Sequence, residues 1–287
     1  MKTFLSLVFA FIFCISCAKP QEKVPSTAQL ITDVTIIDVR SGKEIPSQQV
    51  VIDSGKIKKI SASIENVEAY TTVIDGKGKY LIPGLAEMHA HIPPPTASAE
   101  HTEETMFLYL SNGITTIRGM LGHSEHIRLR ERAQNGDLLS PRIYTASPSL
   151  NGNSVTTKEE AIQKVTAYQQ EGFDFLKIHP GIQREVFDQV VATANEVGIP
   201  FAGHVPVDVG IRHAIESNYA AIDHVDGFIE GLVPESAQVK PEDNGFFGYN
   251  FTPLADSTKI NELVTLCLLY TSPSPRDQRG SRMPSSA

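Results

Sequence analysis

The spacing of apolar residues along the chain changes once, near Tyr80. Before it lie short β-branched runs at 30–39 (LITDVTIIDV), 49–52, 56–60 and 71–74. Turn-forming pairs such as Ser54-Gly55 and Asp75-Gly76 separate them. This pattern predicts a small β-sandwich module over 28–80, too thin to be stable alone. After Tyr80, strand-length apolar stretches alternate with longer stretches of helical period, the rhythm of βα units around a parallel sheet. Strands are expected at 80–85, 114–119, 142–146, 173–178, 200–203 and 220–224. The helices between them are expected at 99–111, 124–134, 159–170, 185–197 and 210–217. Thr157 reads as the N-cap of the third helix, with Gly172 and Gly198 as stops. The fold class is α/β: an incomplete TIM (β/α)8-type barrel of about six βα units, preceded by the small sandwich module.

The two ends fit neither pattern. Lys2 followed by the apolar run 4–15 reads as a signal peptide, too short for a membrane span. It closes on Cys14-Ile15-Ser16-Cys17-Ala18, which resembles a bacterial lipobox with Cys17 as the lipidated residue. The expectation is an extracytoplasmic protein, touching a membrane only through a lipid on Cys17, with 18–27 as a polar tether. From Cys267 the apolar period fades into clustered Ser, Pro and Arg. There CLLYTSPSPRD and SRMPSSA resemble, in one frame, the translation of a transposase-type sequencing adapter. Residues 267–287 are therefore read as non-native, and the barrel region as 81–266.

Composition removes some functions. The 287 residues carry a net charge of −8, and no Lys/Arg block offers a phosphate footprint, so nucleic acid is not an expected partner. Two of the three cysteines lie in the leader, so no disulfide is expected in the folded body.

The candidate chemistry begins with LIPGLAEMHAH at 81–91. Alternate residues of a strand share a face, so His89 and His91 look the same way, roughly 6–7 Å apart. Two neutral imidazoles so placed can converge on one metal ion. Further ligand-type residues follow at later strand ends: Lys177 on the fourth strand, His204 on the fifth and His224 on the sixth. That is the end where barrel enzymes carry their catalytic groups. His123 and His126, in a loop-to-helix stretch, are expected to be exposed. His101 and His213 fall in helical patterns and read as structural.

The motifs PGLAEMHAH, GFDFLKIH, IPFAGHV and AAIDHVDG, in that order at strand ends, resemble the amidohydrolase superfamily. The likeness is greatest to its binuclear imidazolonepropionase-like and Xaa-Pro dipeptidase-like members and covers roughly 28–264. It implies two divalent ions, zinc being the expected metal. His89 and His91 would hold one ion, His204 and His224 the other, and a carboxylated Lys177 would bridge them. Lys177 and His224 are thereby catalytic as well as ligating positions, and His179 lines the substrate pocket. The implied reaction is hydrolysis of a C–N bond, in an amide, cyclic amide or dipeptide, by a metal-bridging hydroxide. The implied partner is a small-molecule or peptide-like substrate. The resemblance also requires an Asp after an eighth strand, and neither Asp226 nor Asp256 suits that position. The chain as written is thus expected to lack activity through truncation. The alternative reading is a catalytically silent extracytoplasmic binding protein on the same scaffold.

Overall fold

The computed structural model describes Pro25 and residues 27–271, which fall into two compact units divided after Pro83. The signal-peptide and lipobox reading, and most of the proposed non-native tail, lie outside the described residues.

In the first unit the β-branched runs form β1 (Gln29–Asp38), β2 (Lys43–Asp53), β3 (Lys56–Ser61), β4 (Thr72–Asp75) and β5 (Tyr80–Leu81). Where the sequence predicts a sandwich-like module, these strands make one mixed five-stranded sheet, ordered β3-β2-β1-β4, with β5 also pairing β1. Alternation puts Leu30 and Val51 into a small core with Ala28 and Ile64. The short first barrel strand expected at 80–85 is corrected here. Tyr80 and Leu81 pair with Thr35 and Ile36 of β1. Pro83, which has no N–H to give to a ladder, then interrupts the run.

The second unit alternates without exception: β6 (Leu85–Ala90), α1 (Ala99–Ser111), β7 (Ile114–Gly119), α2 (Ser124–Asn135), β8 (Arg142–Leu150), α3 (Lys158–Glu171). It continues through β9 (Phe175–Ile178), α4 (Arg184–Val197), β10 (Phe201–Gly203), α5 (Ile211–Glu216) and β11 (Ala221–Ile222). The six strands are parallel and lie in chain order from β6 to β11, a curled half-barrel. Beyond it come α6 (Phe228–Leu232), several 3-10 turns and α7 (Ile260–Thr271). This last helix runs through Cys267, across the boundary placed at 266, where the sequence shows no helical period.

Helix limits follow the polar punctuation. Thr157 Oγ1 accepts from Glu160 N at 3.1 Å, and Glu160 reaches back to Thr156 N at 2.7 Å. Gly172 and Gly198 close α3 and α4. The apolar faces of α3 and α4 bury Val165, Phe187 and Val190 against Leu176, Ile178 and Phe201 of the sheet. Phe187 is fully buried, stacked on Tyr219 at 5.9 Å and edge-on to Phe201 at 6.4 Å. One histidine expectation is overturned. His123 is exposed and caps α2, but His126 is buried. It occupies the inward face with Leu129, and its ring Nε2 finds Pro93 O at 3.2 Å.

Candidate active site

The parallel ladder fixes the site. All six strands end at the same edge, and backbone bonds continue one residue past several of them: Met120 N to Ala90 O, His204 N to Ile178 O, Asp223 N to Gly203 O, at 2.8–3.0 Å. Side chains just after a strand are therefore held almost as firmly as those within it. Gly203 permits the tight approach at β10. Its φ is 140°, and a Cβ there would sit 2.1 Å from Ile178 O.

Along this edge the histidines form a continuous run of ring contacts. His91 lies 5.3 Å from His89, His89 lies 4.5 Å from His224, His224 lies 5.1 Å from His204, and His204 lies 5.0 Å from His179. All five imidazoles expected at the site are thus brought together. Lys177 joins them from β9, whose four residues are all buried, and its Nζ donates to Asp223 Oδ2. His101 and His213 stand apart. The first lies on exposed helix surface, and the second pairs with Asp188 Oδ1 at 2.6 Å.

Residues that the sequence reading missed complete the arrangement. Asp223 is buried between three positive or protonatable groups: Lys177, His89 Nδ1 at 3.5 Å and Arg118 Nη2 at 3.8 Å. Arg118, on β7, also lies over the Phe175 ring at 5.1 Å. Asp226 sits in the turn after β11, beyond the strand, and takes His204 Nδ1 at 3.2 Å and Val205 N at 3.1 Å. Phe247 covers the rings of His204 and His224 at 5.9 and 5.5 Å. An Asp adjoining a strand-end His was the available signal for Asp223. Phe247, in an aperiodic 3-10 stretch, had none. Asp256 is engaged elsewhere, accepting from Thr258 N at 2.9 Å.

The electrostatics follow from burial and pairing. Burial pushes the Lys177 ammonium below its ordinary value, against the pull of Asp223. Burial alone would raise the Asp223 carboxyl, but the Lys177 hydrogen bond and charge, with His89 and Arg118, leave it below its usual range. Burial lowers His89. His179 is lowered to about 4, first by burial and then by the nearby Lys177 and His204. The ring is therefore neutral at physiological pH.

The donor set fits divalent ions. One ligand atom each from His89, Asp223 and His224 lies within 4.8 Å of the others, a nitrogen–oxygen set suited to zinc. The Asp226 contact commits His204 Nδ1 and leaves its Nε2 lone pair available, the outer-shell arrangement of metal-bound histidines. Asp223 enters this trio, whereas the resemblance pairs His89 with His91.

A model of the amidohydrolase family matches residues 80–274, more than half of the chain. The chain belongs to the amidohydrolase family. Among curated relatives of the chain, an adenine deaminase of Clostridium perfringens is 23% identical over 184 residues, 59% of the chain and 32% of that protein. A dihydroorotase of Bacillus cytotoxicus is 31% identical over 134 residues, 43% of the chain and 30% of that protein. The chain thus spans about a third of the length of these relatives. A solved Xaa-Pro dipeptidase with bound methionine superposes with a TM-score of 0.60 at 20% identity, covering 83% of this chain and 77% of that one. Phenylurea hydrolase B gives 0.59 at 18% identity, with 83% and 72% covered. At these identities the likeness is one of fold, a TIM-type barrel.

Proposed function

We propose that this chain carries the metal site of a hydrolase that cleaves C–N bonds in small amides, cyclic amides or dipeptides. The observation that carries the reading is the run of five imidazoles in four successive contacts beside a buried Lys177–Asp223 pair, all at the C-terminal edge of one parallel sheet. Adenine deaminase, dihydroorotase and Xaa-Pro dipeptidase are names that support C–N chemistry. His89, His91, His204 and His224 would hold two divalent ions, zinc by donor type, with Lys177 bridging in carboxylated form. When bound, such ions supply a water that ionises near neutral pH and polarise a carbonyl oxygen. The chain's own residues orient that chemistry. Asp226 aims His204, Phe247 shields the rings of His204 and His224, and Arg118 remains beside Asp223 once Lys177 turns from cation to carbamate. We also propose that residues 1–17 direct the protein out of the cytoplasm, with Cys17 as the lipid attachment point.

The test is metal content. After dialysis against zinc, elemental analysis should find about two ions per chain. His91→Ala should lose at least one of them, because His91 is offered as a ligand and not as support. Unchanged content in that variant refutes the ligand assignment. The reaction class is tested on the zinc-loaded protein with the dipeptide Met-Pro and the cyclic amide dihydroorotate, and hydrolysis of neither overturns it for these substrates.

A further inference from the structure

We propose that Asn151 and Ser149 are positioning residues that lock His179 in its Nε2–H tautomer, so that the ring offers one N–H donor to the carbonyl oxygen of the substrate amide. The donor role rests on the C–N hydrolase reading; the tautomer lock does not.

The chain of hydrogen bonds has a single direction. Asn151 Oδ1 accepts from Asn153 N at 2.9 Å and Ser154 N at 3.0 Å. Backbone N–H groups can only donate, so these two bonds settle which end of the amide is oxygen. The other end, Nδ2, therefore donates to Ser149 Oγ at 2.9 Å. The hydroxyl keeps a second lone pair, but its own proton has no other acceptor among the described residues than His179 Nδ1, 2.6 Å away, so the hydroxyl donates there. A nitrogen that accepts carries no proton, so the neutral ring holds its proton on Nε2.

The relay is anchored at both ends. Ser154 Oγ donates to Ser149 O at 2.8 Å, and His179 N donates to Leu150 O at 2.8 Å. Nε2 has no partner among the described residues, and the ring adjoins His204 at 5.0 Å with a 33° tilt. An Nε2 that bears a proton has no lone pair for a metal. His179 is thereby separated from the neighbouring ligand histidines and assigned to an acceptor oxygen at the His204 end of the cluster.

The experiment is long-range 1H–15N correlation of the 287-residue chain labelled with 15N-histidine, with His179→Gln used to assign its signals. Wild type should show a protonated-type Nε2 and an unprotonated-type Nδ1. Asn151→Asp keeps Oδ1 for the loop but replaces the donor facing Ser149 with an acceptor. The Ser149 hydroxyl should turn toward it, and His179 should switch to the Nδ1–H tautomer. Zinc content should stay at the wild-type level. Ser149→Ala should give a mixture of tautomers, and Ser149→Thr should restore the single form. A wild-type Nδ1–H tautomer, or an Asn151→Asp variant that keeps Nε2–H, overturns the lock. For the donor role, zinc-loaded Asn151→Asp is assayed on Met-Pro and dihydroorotate. On whichever is cleaved, kcat should fall about 100-fold, the scale for losing one donor to a developing oxyanion, with KM within twofold. A raised KM at unchanged kcat would assign the donor to a substrate carboxylate and overturn the carbonyl assignment. Failure of wild type to cleave either probe overturns the donor role for those substrates, while the tautomer lock stands or falls on the spectra alone.

Discussion

The Lys177–Asp223 pair allows the charge balance of the site to be measured without substrate. Lys177 is 1% exposed and Asp223 5%, and Arg118, at 16%, adds a second cation on the same carboxylate. Asp223→Asn leaves two cations facing one another, with only the weaker attraction of Asp226 on Lys177 to offset them. Breaking a buried pair from one side costs about 3–5 kcal/mol, because the surviving charge stays desolvated. For a chain of this size each kcal/mol is about 2–4 °C in Tm, so the metal-free variant should melt roughly 6–20 °C below wild type. Lys177→Met/Asp223→Asn removes the stranded ammonium and fills its space. The double variant should therefore be more stable than Asp223→Asn alone, with a coupling of at least about 1.5 kcal/mol. pH sharpens the test. The folded pKa of Lys177 lies below the ordinary 10.5, so the folded state binds fewer protons than the unfolded state between those values. Stability contributed there rises with pH. Without Asp223 the depression deepens, so the Tm gap between Asp223→Asn and wild type should narrow as pH rises toward 10.5. The assay is thermal unfolding by circular dichroism in chelator. Additive single-variant losses, or a gap that widens with pH, would refute the account of a charge compensated by Asp223.

Other outcomes follow from single contacts. Asp226→Ala frees His204 Nδ1 and should weaken zinc binding about 10–100-fold in a chelator competition titration. His224 and Val225 both have left-handed backbone, φ 57° and 56°, and Val225 is 70% exposed. Val225→Gly should therefore raise stability by about 1 kcal/mol in denaturant unfolding while loosening His224 and lowering zinc affinity. Burial lowers the pKa of His126, so its stabilising contribution is complete above about 6.5 and declines as pH falls below it. His126→Leu should flatten the dependence of Tm on pH between about 7 and 5, a slope read directly from melts in that range.

Much of the architecture was legible because it rests on periodicity. The strand–helix alternation, the caps at Thr157, Gly172 and Gly198, and the strand-end placement of His89, Lys177, His204 and His224 all follow from local pattern. What escaped was set by tertiary context. β8 was expected to stop at 146 but runs to Leu150, because pairing with β9 resumes after a register break between Ala146 and Ser149. Pro148, which lacks an N–H, lies within that break. The extension is what brings Ser149 to His179, so the relay was hidden with it. Nothing in the local pattern around Arg118 points to Asp223, a residue 105 positions later that only the folded sheet brings within 3.8 Å of it. His126 looks exposed because a polar residue early in a helix usually is; Pro93 O changes that by giving the buried ring a partner.

The same edge of the sheet also explains where strain resides. The ladder holds Asp223 through its backbone N, yet the next two residues leave in the left-handed region that non-glycine residues avoid. Such a turn persists only where its surroundings fix it from several sides. Here Asp226 does so. Its N–H donates back to Asp223 O at 2.9 Å, and its carboxylate takes both Val205 N and the His204 ring. One residue thus closes the strained turn that presents His224 and orients the imidazole of His204 on the neighbouring strand. The second ion proposed for this site would be held by those two histidines together with the bridging Lys177. Relaxing the turn and freeing His204 are therefore linked changes, and the local strain is best understood as the cost of holding two imidazoles 5.1 Å apart on adjacent strand ends.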